Sequence, residues 1–173
     1  GAKKVSSLDA SSYEGATLVH DLNLPVPPQW EERFDLIVDG GTLEHVFNFP
    51  VAIANCMKMA KTGGHIALFT PANNYFGHGF YQFSPELFYR VFSRENGFRV
   101  HTMTALVDNV GVGSICGVHY PFPISGPWHA VRDPAEIRQR VTLINNRSVI
   151  LMVLAQKTSR EAIPSPQSRL CRP

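Results

Sequence analysis

Phe34-Asp35-Leu36-Ile37-Val38-Asp39-Gly40-Gly41-Thr42-Leu43-Glu44-His45-Val46-Phe47-Asn48 and, after a helical interval, Gly63-Gly64-His65-Ile66-Ala67-Leu68-Phe69-Thr70-Pro71-Ala72-Asn73-Asn74 decide the reading of the fold. Leu36 to Val38 and Ile66 to Phe69 are short apolar runs of strand type. Between them Ile53, Cys56, Met57 and Ala60 recur at i, i+3, i+4 and i+7, the buried face of one helix. Asn48 stands where an N-cap belongs and Pro50 falls in the first turn, where a missing N–H costs little. Lys58 and Lys61 suit the carboxyl end of the helix dipole, and Gly63-Gly64 is expected to stop the helix. The whole is a β-α-β unit with polar residues at the carboxyl end of each strand, where open α/β sheets bind ligands.

Outward from this unit the pattern continues. Lys4 to Leu8 and Thr17 to Val19 are short strand candidates, ending in Asp9 and in His20-Asp21. Pro25, Pro27 and Pro28 exclude regular structure before Trp30, and a short helical turn is expected to end at Glu31-Glu32-Arg33. Ser84-Pro85-Glu86 starts a second helix with Leu87, Phe88, Val91 and Phe92 on its apolar face, and Asn96-Gly97 ends it. Phe98 to Val107 and Ser148 to Gln156 read as strands, the latter apolar enough to be buried on both faces. Asp133 caps a short helix opening at Pro134. The long connection from Asp108 to Arg147 is of the kind that serves function or an interface. Trp128 and its neighbouring prolines suit either a pocket lid or a homodimer contact. One α/β domain over residues 1–158 is expected, with a mostly parallel sheet, a late antiparallel strand and a disordered tail over 159–173.

The chain has 173 residues and a formal charge of +2, too weak a balance to imply nucleic acid or an anionic membrane surface. No apolar run approaches the roughly 20 residues of a membrane span, and no signal peptide opens the sequence. Cys56, Cys116 and Cys171 form no CxxC pair, so free thiols in a reducing cytoplasm are expected. His20, His65, His101, His119 and His129 lack metal-ligand spacing such as HExxH, and no metal site is predicted.

Asp9, Asp21, Asp39 and Glu44-His45 each follow a strand, so a parallel sheet would bring four acids to one edge. An acid after a strand can hold ribose hydroxyls, or it can simply close a turn. His45 and His78 are candidate general bases for an acceptor hydroxyl or amine. His45 has a competing structural role at a helix start. The loop from Asn73 to Phe83, with Tyr75, Tyr81 and Gln82 around a glycine-flanked His78, is either a substrate loop or an aromatic loop folded on the core.

Over residues 4–107 the order of pieces resembles the class I S-adenosylmethionine-dependent methyltransferases. The pieces are Phe34-Asp35 to Asp39, Leu43-Glu44-His45-Val46, Met59 to Gly64, Thr70-Pro71-Ala72-Asn73, and Phe83-Ser84-Pro85-Glu86-Leu87 through Asn96-Gly97-Phe98. The resemblance implies a Rossmann-like fold, S-adenosylmethionine as cofactor and a small-molecule or glycan-like acceptor. It implies ribose binding by Asp9, adenine contact near Asp21-Leu22, and Asp39-Gly40 beside the methionine moiety. Asn73, Tyr75 and Tyr81 would face the acceptor. The family's first strand and its GxGxG loop should precede Asp9 by about 20 residues. Only eight residues do so here, so that strand is expected to be missing. Losing two of its backbone hydrogen bonds would weaken cofactor binding about 30-fold. A degenerate, non-catalytic module that dimerises or scaffolds is the alternative. A nucleotide-dependent α/β enzyme such as a reductase is a third, weaker option, and the lack of any GxGxxG counts equally against it.

Overall fold

The computed structural model describes residues 1–107, 127–139 and 142–160. Strands β1 (Leu8–Asp9) and β2 (Leu18–Val19) pair in parallel and form a small sheet of their own. Strand β3 (Phe34–Asp39) leads through a 3₁₀ turn at Leu43–His45 into helix α1 (Phe49–Met59) and then strand β4 (Ala60–Pro71). Helix α2 (Pro85–Val91), strands β5 (Phe98–Val107) and β6 (Trp128–Ala130), helix α3 (Pro134–Ile137) and strand β7 (Val149–Lys157) complete the order.

The main sheet runs β3-β4-β7-β5-β6. It is mixed rather than mostly parallel: β3 and β4 pair in parallel, whereas the β4–β7, β5–β7 and β5–β6 ladders are antiparallel. The cause is the expected late antiparallel strand. β7 enters between β4 and β5, which run the same way, and converts one parallel adjacency into two antiparallel ones. Its register alternates buried and half-buried residues from Val149 to Lys157, so it is fully covered on one face rather than two.

Ile53, Cys56, Met57 and Ala60 are buried, as their spacing predicts. Ala60 is already the first residue of β4, and Ile53, Cys56 and Met57 of α1, with Phe88 and Phe92 of the second helical segment, cover Ile66, Leu68, Val153 and Ala155 of the sheet. The other face of β3 and β4 is open, with Leu36, Val38 and Phe69 exposed.

Several local readings need correction. Gly63-Gly64 does not stop α1, which ends at Met59 where Ala60 turns extended. The glycines lie in a bulge of β4, between the Phe34–Ala60 and Leu36–His65 pairs. A Cβ on Gly64 would stand 2.9 Å from the Lys61 carbonyl oxygen and 3.0 Å from that of Asp35, so close backbone approach requires glycine there. Asn48 makes no side-chain cap. It ties down the turn after β2 instead: its N–H donates to Asn23 Oδ1 and its Nδ2 to Asn23 O. The helical turn before β3 comes earlier than expected, at Pro28–Trp30. Ser84 and Asp133 do cap their helices, each accepting from a backbone N–H in the first turn. Strand β6 is an addition within the long connection. Residues 108–126, most of that connection, and 161–173, most of the expected tail, lie outside the described residues.

Lys157 is a buried cation. Its Nζ donates to the carbonyls of Met57 and Ala60, each at 3.0 Å, and pairs with Glu32. Glu32 also accepts from the backbone N–H and hydroxyl of Thr62. Burial tends to raise the Glu32 pKa, but the bonds from Lys157 and Thr62 outweigh it and hold the group below its ordinary value.

Candidate functional site

The four acids expected on one edge divide between the two sheets. Asp9 Oδ1 accepts from the N–H of Ser11 at 2.7 Å and from its hydroxyl. Asp21 Oδ1 likewise accepts from the N–H and Nδ2 of Asn23. Both are exposed turn closers, and the Asn23 bonds lower the Asp21 pKa. Leu22 packs partly buried against the core, its carbonyl accepting from Asn55 Nδ2.

Asp39 and Glu44 are built differently. Asp39 is the last residue of β3, on the sheet face covered by α1, in register with Leu68. Its Oδ1 accepts from the Thr42 N–H at 2.9 Å, while its buried Oδ2 has no hydrogen-bond partner among the described residues. Burial raises the Asp39 pKa, and the charge of Glu44 adds to the rise. Inside the helix, burial and the Asp39 charge together push the Cys56 thiol up to about 12. Gly40 is exposed at the strand end, and Gly41 adopts φ +114° to turn the chain into Leu43–His45.

Glu44 is 1% exposed. Its Oε1 lies 3.3 Å from His78 Nε2 and 4.0 Å from His45 Nε2, and its buried Oε2 has no hydrogen-bond partner among the described residues. The two imidazoles meet edge to face with centroids 4.9 Å apart. Each is about half exposed, so the cluster has a buried acidic floor and an imidazole rim open to solvent. His78 reaches it because the loop after β4 folds back: the Phe80 N–H donates to Glu44 O at 2.8 Å. A Cβ on Gly79, which has φ +70°, would stand 2.9 Å from that same oxygen.

The structure therefore joins His45 and His78, two separate candidates in the sequence, and adds Glu44 as their common partner. Spacing does not reveal the set because Glu44 and His78 are 34 residues apart. The glycines flanking His78 are the one signal of a close backbone approach. The other loop candidates have structural work. Tyr81 stacks on Phe83 and donates from its hydroxyl to Phe47 O. The Tyr75 N–H donates to Gln82 Oε1, and its ring meets that of His78 at 5.7 Å. Asn73 Nδ2 donates to Leu143 O, and Asn73 lines a separate cavity of about 610 Å³ with Gln82, Ser84 and Thr142, near the carboxyl ends of β4 and β5.

Comparison with protein-family models, curated proteins and solved structures finds no match. No helix among the described residues is long and apolar enough to cross a membrane.

Proposed function

We propose that the chain is part of an S-adenosylmethionine-dependent methyltransferase acting on a small-molecule or glycan-like acceptor. In this reading the two sheets belong to one Rossmann-like arrangement. The observation that carries it is the polar cluster of Asp39, Glu44, His45 and His78 at the carboxyl end of β3, beside its parallel partner β4. That is where open α/β sheets place their ligands. Asp39 with Gly40 serves the methyl-donor end, and Asp9, Asp21 and Leu22 the nucleoside. His45 or His78, half exposed on the rim, takes the acceptor's proton. Asn73, Tyr75 and Tyr81 border the acceptor. Transfer of a methyl group from a sulfonium is chiefly a matter of in-line positioning, which a buried, backbone-tethered floor supplies.

Calorimetry with S-adenosylmethionine on the full natural protein tests the reading. Binding of about micromolar affinity that weakens in Asp9→Ala is expected; no binding to the wild type overturns it. A second reading, a non-catalytic module that dimerises or scaffolds, draws on Asp9 and Asp21. Their carboxylates already hold their own turns rather than standing ready for ribose or adenine. Wild-type protein that binds no cofactor but self-associates in analytical ultracentrifugation would support it.

A further inference from the structure

We propose that Glu44, His45 and His78 form a binding site for a divalent first-row transition-metal ion. The donor atoms of the three residues all lie within 4.8 Å of one another. One carboxylate and two imidazoles are a mixed oxygen and nitrogen set, which suits Zn²⁺, Co²⁺, Fe²⁺ or Mn²⁺ and not the all-oxygen shells preferred by Ca²⁺ and Mg²⁺.

The geometry is close to that of a loaded site. Ligand bonds of about 2.1 Å in a tetrahedral arrangement put neighbouring donor atoms roughly 3.4 Å apart. Glu44 Oε1 and His78 Nε2 stand at 3.3 Å already. His45 Nε2 stands 4.0 Å from Oε1, and no pair of donor atoms is more than 4.8 Å apart, so His45 has to close in on the other two, from a side chain that is half exposed.

The floor of the site points the same way. Glu44 is almost wholly buried, and among the described residues Oε2 has no hydrogen-bond partner. A carboxylate held this way is costly unless a cation or strong donors compensate it. Asp39, buried nearby with its own unpartnered oxygen, adds to the negative potential. The backbone is shaped to keep the carboxylate there. A Cβ on Gly41 would lie 3.2 Å from Oε1, and the close approach of Gly79 to the Glu44 carbonyl brings in the loop carrying His78. Three protein ligands with a solvent-facing rim leave a coordination position for water or a substrate oxygen, the pattern of a catalytic site rather than a closed structural one. With an ion in place the two imidazoles are ligands rather than free bases. The ion would then supply acidity to a bound water or acceptor hydroxyl.

The site stands or falls independently of the methyl-transfer reading, because it is read without S-adenosylmethionine. EDTA-treated protein is titrated with Co²⁺ by visible absorption and with Zn²⁺ by calorimetry. One equivalent of Co²⁺, displaced by Zn²⁺, is expected. Glu44→Gln and His78→Ala should each weaken binding by about 100-fold or more. Circular dichroism checks that each variant folds. If the substitution at buried Glu44 unfolds the chain, His45→Ala, at a half-exposed position, takes its place and should weaken binding in the same way. His65→Ala is the control: that ring faces His101 at 5.5 Å on another part of the surface. Absence of stoichiometric binding, binding that survives loss of His78 and His45, or binding lost in His65→Ala would each overturn the proposal.

Discussion

Asp9 ends and Asp21 follows a strand of the small sheet; Asp39 ends and Glu44 follows the first strand of the large one. The first pair is exposed, each acid satisfied by an N–H two residues on. The second pair is buried, each acid keeping one oxygen without a hydrogen-bond partner among the described residues. Position at or after a strand end is common to all four, so it does not decide what an acid does. Cover decides. Helix α1 packs against the face of β3 that carries Asp39, and the loop after β4 folds over Glu44. Nothing comparable among the described residues lies over Asp9 and Asp21, which stay open to solvent.

Glu32 gives this contrast a reference point: an acid with a buried cation as partner. Glu32→Gln leaves Lys157, 5% exposed at its side chain, without its carboxylate. The loss should be about 3 kcal/mol in urea unfolding at neutral pH, the largest effect expected here. The pH dependence follows. Because the folded-state pKa of Glu32 lies below its ordinary 4.5, its contribution is present above that value and fades as pH falls through the folded pKa. The variant should therefore show a shallower stability loss below about pH 4.5 than the wild type. Equal acid sensitivity would mean that the pair contributes nothing.

Next in size, Zn²⁺ at 100 times its Kd should stabilise the wild type by about 2.7 kcal/mol and Glu44→Gln by almost nothing. Thermal melts with and without the ion measure the difference, and equal shifts in both proteins would detach Glu44 from the site. Gly79→Ala should cost about 2 kcal/mol, from a left-handed backbone and the contact with the Glu44 carbonyl, and should loosen the ion as well. Asp39→Asn keeps an oxygen for the Thr42 N–H and removes one of two neighbouring buried charges. It should stabilise the metal-free protein by about 1 kcal/mol in denaturant melts; a large loss would show that the charge is compensated. Asp9→Ala comes last, at about 0.5 kcal/mol or less. Such a small stability change beside a clear loss of S-adenosylmethionine affinity would separate a binding acid from a turn closer.

Much of the fold is legible in the sequence because it rests on local chemistry. The helical spacing of Ile53, Cys56 and Met57, the Ser84-Pro85 start and the Asp133 cap are statements about neighbours in the chain, whereas Ala60, the last member of the same pattern, falls in β4. The misreadings arise where a distant partner decides. Gly63-Gly64 looks like a helix stop, but its job is set by the β3 carbonyls that it approaches. Asn48 looks like a cap, yet Asn23 claims its side chain. The site is half legible for the same reason: Glu44-His45 and His78 each stand out, but their meeting depends on how the loop after β4 returns. Lys157 carries no signal at all, since a lysine at the end of an apolar strand normally reaches solvent.

The place of β7 has a consequence for how the molecule comes into being. The strand made last of those described sits at the middle of the sheet, between β4 and β5. On the ribosome, β4 can pair with β3 and β5 with β6 before β7 is made, but the edge that each turns toward β7 stays bare until then. The carbonyls of Met57 and Ala60 wait too, for a lysine about a hundred residues downstream. Contacts of such long range slow folding, and bare strand edges invite pairing with other nascent chains. Between the emergence of Val107 and that of Lys157, then, the two edges that β7 will cover are open to wrong pairing.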